Sequence, residues 1–155
     1  MVREKRISLG RNKKGFSLPE LMVAALVMII AFSGVILSYI RCIYLNEVSR
    51  SQTLSLLAVK SRVEMIKNTT FAQIPLVYNN ITFVLPDIKG RGISYVATVN
   101  PSLLRITVSY CWKQKDGRVF GEDTDLDGIL DVGEDKNGNG LIDSPVTITT
   151  FLYNT

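Results

Sequence analysis

The chain has 155 residues and a formal charge of +4, enough for one modest domain plus an anchor. The charge is uneven: residues 1–15 hold six bases against Glu4, a net +5, which leaves the remainder at −1, so the basic balance gives no reason to propose nucleic-acid binding. There is no histidine, the commonest catalytic base and metal ligand, and neither a nucleophile elbow nor a phosphate loop, so no enzyme is expected.

In chain order, the basic leader comes first and ends at Gly15-Phe16. From Leu21 to Ile40 there follow twenty residues without a charge. At about 1.5 Å of rise per residue they make roughly 30 Å of helix, enough to cross a bilayer's hydrocarbon core. A secretory signal peptide carries its cleavage site beyond the apolar core. Here the small residue lies before it, so a cut between Gly15 and Phe16 removes only the leader and keeps the membrane helix. Glu20 is the fifth residue counted from Phe16.

Leader charge, Gly15, Phe16, Glu20 and apolar run in this register resemble the type III signal of type IV prepilins and pseudopilins. Pro19 stands where that signal commonly has an aliphatic residue, and a helix's first turn tolerates proline. The resemblance implies cleavage by a prepilin peptidase and N-methylation at Phe16. It further implies that Glu20 acts in assembly, by pairing with the new N-terminal ammonium of a neighbouring pilin or pseudopilin subunit. The basic leader holds the N-terminus in the cytoplasm. The remainder would then be a single-pass protein of the bacterial inner membrane with its C-terminal head in the periplasm, before entry into a filament.

The helix is expected to continue to about Lys67, since no proline interrupts residues 20–74. Leu45, Val48, Gln52, Leu56, Val59, Val63 and Ile66 lie at spacings of three and four, one face of an amphipathic helix. Gly34 is a candidate for local loosening. Residues 71–92 carry turn signals (Pro75, Asn79-Asn80, Pro86-Asp87, Gly90, Gly92) and read as an irregular link with at most one short strand, Ile81 to Leu85. A hairpin is predicted next, Ile93–Val99 and Leu103–Lys113 around Asn100-Pro101-Ser102. Leu104, Ile106, Val108, Tyr110 and Trp112 share one face of its second strand, and Arg105, Thr107, Ser109 and Cys111 the other. Cys111 then points away from the helix carrying Cys42, and two unpaired thiols are expected. Arg118–Phe120 and Val146–Tyr153 complete the strands.

The fold class is α+β: a long N-terminal helix, transmembrane then amphipathic, packed on a small antiparallel sheet head, an arrangement that matches pilin-like subunits. The expected divisions are a leader at 1–15, a transmembrane half-helix at 16–40, an amphipathic half-helix at 41–68 and a head at 69–155, with an acidic insertion at 121–145.

That insertion is the second informative stretch. Residues 122–143 hold eight acids and one base, Lys136. Asp123, Asp125, Asp127, Gly128, Ile129, Asp131 and Glu134 occupy positions 1, 3, 5, 6, 7, 9 and 12 of a twelve-residue calcium loop. Ile129 would contribute its backbone carbonyl, and Glu134 both carboxylate oxygens. Twelve residues on, Asp135, Asn137, Asn139, Gly140 and Asp143 repeat the pattern, with Val146 in place of the closing Glu. The two loops abut, so no helix fits between them, and they resemble the helix-poor calcium loops of dockerin-type and thrombospondin-type repeats. Leu130 and Ile142 are the expected hydrophobic anchors. The second loop, with fewer charges, should bind more weakly unless Glu122 or Glu134 also reaches it.

The expected function is a structural subunit, a minor pilin or pseudopilin of a type IV pilus or type II secretion apparatus, with calcium as its cofactor. The alternative is a membrane-anchored calcium-binding module on the periplasmic side that never joins a filament.

Overall fold

The computed structural model describes residues 15–154; all of the expected leader except Gly15 lies outside the described residues. The chain divides into two compact units, Met1–Ile43 and Tyr44–Thr155.

Helix α1 (Leu18–Lys67) runs through both units; it begins, in the first, with Pro19 in its first turn, where a missing N–H costs nothing, and with Glu20 beside the positive helix end. The helix passes Gly34 without a break. The serine hydroxyls in the apolar run are satisfied locally: Ser33 donates to the Ile29 carbonyl at 2.7 Å and Ser38 to the Gly34 carbonyl at 2.9 Å. From Leu21 to Ile40 every side chain is exposed, including Leu26, Ile30, Phe32 and Leu37. This stretch is long and apolar enough to cross a membrane, and is consistent with a single membrane anchor.

The second unit has three layers. The middle layer is a five-stranded antiparallel sheet of β1 (Ile81–Leu85), β2 (Ile88–Asn100), β3 (Leu103–Lys113), β4 (Val119–Phe120) and β5 (Thr147–Tyr153). Strand β3 is central: it pairs with β2 through Val96↔Ile106 and Thr98↔Leu104, with β5 through Leu104↔Leu152 and Val108↔Ile148, and with β4 through Trp112↔Phe120. Its apolar face (Leu104, Ile106, Val108, Tyr110, Trp112) is fully buried in one cluster with Val59, Val63 and Ile66 of α1, Ile74 of the short helix α2 (Ile74–Tyr78), Val96 and Val146. Each such aliphatic side chain contributes roughly 1.5–3 kcal/mol by leaving water. Above the cluster, the Arg62 guanidinium lies 4.8 Å from the Tyr78 ring centre and 5.2 Å from that of Phe83.

Two expectations need correction. The buried stripe of α1 runs through Ser55, Val59, Val63 and Ile66, whereas Leu45, Gln52 and Leu56 are exposed. The small Ser55, its hydroxyl donating to the Ser51 carbonyl, gives close approach that apolarity alone did not signal. Second, β2 starts at Ile88 and not Ile93, because Gly90 and Gly92 are strand residues rather than turn residues. Side chains there would run into the rings of Tyr110 and Phe83, so the glycines leave the space that the aromatics fill. Phe83 and Tyr110 themselves meet at 5.7 Å.

The other face of the sheet is covered too. Ser109 and Cys111 point away from the helix layer as expected, yet both are fully buried. Ile93 and Cys111 form a second cluster with Ile142, flanked by Tyr95, Leu126 and Leu130. The acidic segment is thus the third layer, with Leu130 and Ile142 as its apolar feet. Burial pushes the Cys111 thiol up to about 11, so it behaves as a small apolar side chain. Both cysteines are free.

Candidate metal centre

The acidic segment folds into two loops held by side-chain-to-backbone hydrogen bonds. In the first, Asp123 Oδ2 accepts from the Gly128 N–H at 2.9 Å, and Oδ1 from the Asp127 N–H at 3.2 Å. Asp125 also accepts from Asp127, and Asp127 accepts from Ile129 at 2.7 Å. Gly128 has φ +80°, and a side chain there would overlap Thr82 and the Arg91 stem. Only glycine satisfies both demands. Beneath the loop, Arg91 Nε donates to the Leu126 carbonyl at 2.7 Å.

The second loop repeats these contacts twelve residues later. Asp135 Oδ2 accepts from Gly140 at 2.9 Å and Oδ1 from Asn139 at 3.1 Å, Asn137 accepts from Asn139 at 3.0 Å, and Asn139 accepts from Leu141 at 2.7 Å. The positive-φ residues repeat at the same interval: Leu126 and Gly138, Gly128 and Gly140, Gly121 and Gly133. Ile142 is pinned to the sheet by both backbone groups: its N–H donates to the Tyr95 hydroxyl at 3.0 Å, and its carbonyl accepts from the Ser109 hydroxyl at 2.6 Å.

Closure is where the loops differ in sequence yet agree in geometry. Glu134 ends the first loop, its two oxygens accepting from the backbone N–H groups of Thr124 at 2.7 Å and Asp131 at 3.2 Å. The equivalent groups of the second loop, Lys136 N–H and Asp143 N–H, donate to Glu122 at 3.1 and 3.0 Å. Glu122 is twelve residues before Glu134, so the glutamate missing from the end of the second loop is supplied from before the start of the first. The Glu122 N–H donates to the Asp143 carbonyl at 2.8 Å, just as the Glu134 N–H donates to that of Asp131 at 3.1 Å. The residue that sequence reasoning left open was therefore legible as a twelve-residue step taken backwards.

The ligand-type atoms of the first loop converge. Carboxylate oxygens of Asp123, Asp125 and Glu134 lie within 4.8 Å of one another, and so do those of Asp125, Asp127 and Asp131. The two ion pairs among the described residues, Lys67–Glu64 and Lys115–Glu47, lie elsewhere, so none of these carboxylates is ion-paired among the described residues. Burial, opposed by the N–H donors of Gly128 and Leu126, raises the Asp123 carboxyl. Desolvation and the charges of Asp127, Asp125 and Glu134 raise Asp131. Burial also pushes Glu134 upward, but the hydroxyl and N–H of Thr124 and the N–H groups of Asp131 and Asp125 outweigh it and hold Glu134 below the ordinary carboxylate range. A hard-oxygen set of this kind, without an ion pair among the described residues, could bind a metal ion.

In the second loop the polar groups satisfy each other. Asp143 Oδ2 accepts from the amides of Asn137 at 2.8 Å and Asn139 at 2.7 Å, where the first loop sets Asp131 against Asp125 and Asp127.

The remaining sequence-derived positions lie in the other unit. Gly15 and Phe16 precede α1, Glu20 is in its first turn, and all three are exposed. A family model, the prokaryotic N-terminal methylation motif, matches residues 10–36, a span that contains all three. No curated protein and no solved structure matches the chain. The matched motif, the helix Leu18–Lys67 and the antiparallel sheet together fit a type IV pilin-like protein, of the general class of prepilin-type processed pilins and pseudopilins.

Proposed function

We propose that the chain is a minor pilin or pseudopilin, a structural subunit of a type IV pilus or type II secretion filament whose head is stabilised by calcium. The observation that carries the reading is the methylation-motif match over residues 10–36, in register with Gly15, Phe16 and Glu20 and leading into the exposed apolar helix. Prepilin peptidase cuts between Gly15 and Phe16, and Phe16 is N-methylated. The new ammonium and the Glu20 carboxylate of neighbouring subunits then pair inside the membrane bundle, where an unpaired charge is costly. The subunit rests in the inner membrane with residues 69–155 on the periplasmic side until it is drawn into a filament with other pilins.

The calcium part of the reading is supported by the converging oxygens of the first loop. Asp123, Asp125, Asp127, Asp131, Glu134 and the Ile129 carbonyl take the ion there. Asp135, Asn137, Asn139 and Asp143 take a second ion, with Glu122 as the closing carboxylate.

The test is intact-mass analysis of the membrane protein together with recovery from sheared filaments. The expected chain starts at Phe16, carries a methyl group and co-purifies with filaments. A mature chain starting at Met1, or one cut beyond Ile40, overturns the prepilin reading. A correctly cut chain absent from filaments leaves a monomeric anchored module. Glu20→Ala should insert normally but fail to assemble.

A further inference from the structure

The two ends of β3 differ in charge. The β2–β3 turn, Asn100-Pro101-Ser102, has none. At the other end, the turn Lys113–Arg118 reaches the first residues of α1 that belong to the unit Tyr44–Thr155. Arg118 Nη1 donates to the Tyr44 hydroxyl at 3.4 Å, and Lys115 pairs with Glu47 at 3.0 Å. Arg50 and Lys89 line one cleft with Lys113 and Lys115 there. Arg50, Lys89, Lys113, Lys115 and Arg118 are all exposed, and gather at this end against Glu47, Asp87 and Asp116. The acids that follow β4, Glu122 and Asp123, are buried.

The chain holds this end close to a membrane. The apolar run stops at Ile40, Arg41 follows it, and Tyr44 is four residues on from Ile40. Four residues reach at most about 14 Å fully extended, and about 6 Å as helix. The headgroup layer beyond the hydrocarbon is roughly 5–8 Å deep on each side, and charges are felt about 8 Å further at physiological salt. Whatever the angle between the two units, the Arg118–Tyr44 contact stays within electrostatic reach of the lipid phosphates.

We propose that this basic end is a docking surface for anionic phospholipid headgroups, which hold the head of the unassembled subunit down on the leaflet from which it emerges. Lysines and arginines at headgroup height need no enclosed pocket, because the leaflet itself presents an array of phosphates to them. The attraction is electrostatic, so salt weakens it. The proposal rests on residues 21–40 spanning the bilayer, as in the proposed function, and on neither the calcium loops nor entry into a filament.

The experiment uses the full chain in lipid nanodiscs, made of phosphatidylcholine alone or with about one third phosphatidylglycerol. Lysine acylation by a succinimidyl ester is read residue by residue by mass spectrometry. Lys89, Lys113 and Lys115 should react about fivefold more slowly in the anionic discs, and about 0.5 M sodium chloride should remove the difference. Lys60 and Lys67 are exposed and lie sixteen and twenty-three residues beyond Tyr44 on α1, roughly 24 Å or more along the helix, so they should react alike in both lipids. Amide hydrogen exchange of residues 21–40 in the same discs reads the anchor separately and should be slow in both. Slow exchange there with equal lysine rates in the two lipids, or with slowing that extends equally to Lys60 and Lys67, overturns the docking surface alone. Fast exchange at 21–40 overturns the anchor and the docking surface with it.

Discussion

The two loops of the acidic layer share one backbone path and differ in what fills it. In the first, Asp125, Asp127 and Asp131 bring carboxylates together with no ion pair to any of them among the described residues. In the second, Asn137 and Asn139 replace two of those acids, and their amides donate to Asp143. The same geometry is a repulsive cluster in one loop and a satisfied network in the other. Two unit charges about 4 Å apart repel by roughly 4 kcal/mol at the effective dielectric of a protein surface. A cation would relieve that repulsion in the first loop, whereas the amides of Asn137 and Asn139 already do so in the second. Closure links them: because Glu122 precedes the first loop and closes the second, the second cannot be completed until the chain has folded back on its own start.

The comparison is broken most severely at the paired glycines. Gly128 and Gly140 have φ of +80° and +73°, but only Gly128 is hemmed in, by Thr82 and Arg91. Gly128→Ala adds overlap to the cost of a left-handed residue and should destabilise the head by about 3 kcal/mol; Gly140→Ala meets open space and should cost about 1 kcal/mol. Denaturant unfolding of the unit Tyr44–Thr155 measures both. Equal losses would mean that the first loop is not seated on β1 and β2.

Next in size is the exchange of closing glutamates. Glu134→Gln should weaken calcium binding at the first loop by tenfold or more, and Glu122→Gln should do so at the second, although Glu122 lies beside the first in sequence. Calorimetric titration separates the two if the sites differ in affinity. Loss of the tight site in Glu122→Gln would contradict the crossed closure.

The smallest effect is the pH dependence, which sharpens the comparison by turning the ion off. In the chelated protein, the raised Asp123 and Asp131 contribute stability that is present in acid and lost as pH rises through their folded values. The lowered Glu134 contributes stability that is present near neutrality and lost as pH falls through its folded value. These oppose one another, so the chelated midpoint should change little between pH 7 and about pH 4. With calcium, every ligand carboxylate must be ionised, and the calcium-dependent part of the midpoint should vanish over the same range. Parallel curves with and without calcium would show that these carboxylates do not hold the ion.

Much of this was readable in the chain because it is local. The helix follows from an uninterrupted run without proline, and β3 from its alternation of apolar and polar residues. The twelve-residue repeat is written in Asp, Asn and Gly at fixed steps. What escaped is non-local. Gly90 and Gly92 look like turn residues until Tyr110 and Phe83 are placed over them. Ser109 and Cys111 look like an outer face until Ile142 and Leu130 cover it. Ser55 enters the buried stripe because it is small, which hydrophobic periodicity does not register. Glu122 closes the second loop across the fold, and only pairing of backbone N–H groups reveals its place.

The most direct test of the two-loop account is thermal unfolding of Tyr44–Thr155 in calcium and in chelator, read beside a calorimetric calcium titration. An ion that binds only the folded form adds about 2.7 kcal/mol at a hundred times its dissociation constant. For a unit of this size that is a rise in midpoint of roughly 10 °C or more. The account predicts that rise, with one tight binding step for the first loop and a weaker one for the second. An unchanged midpoint with no heat of calcium binding would contradict it and leave the acidic layer held by its hydrogen bonds alone.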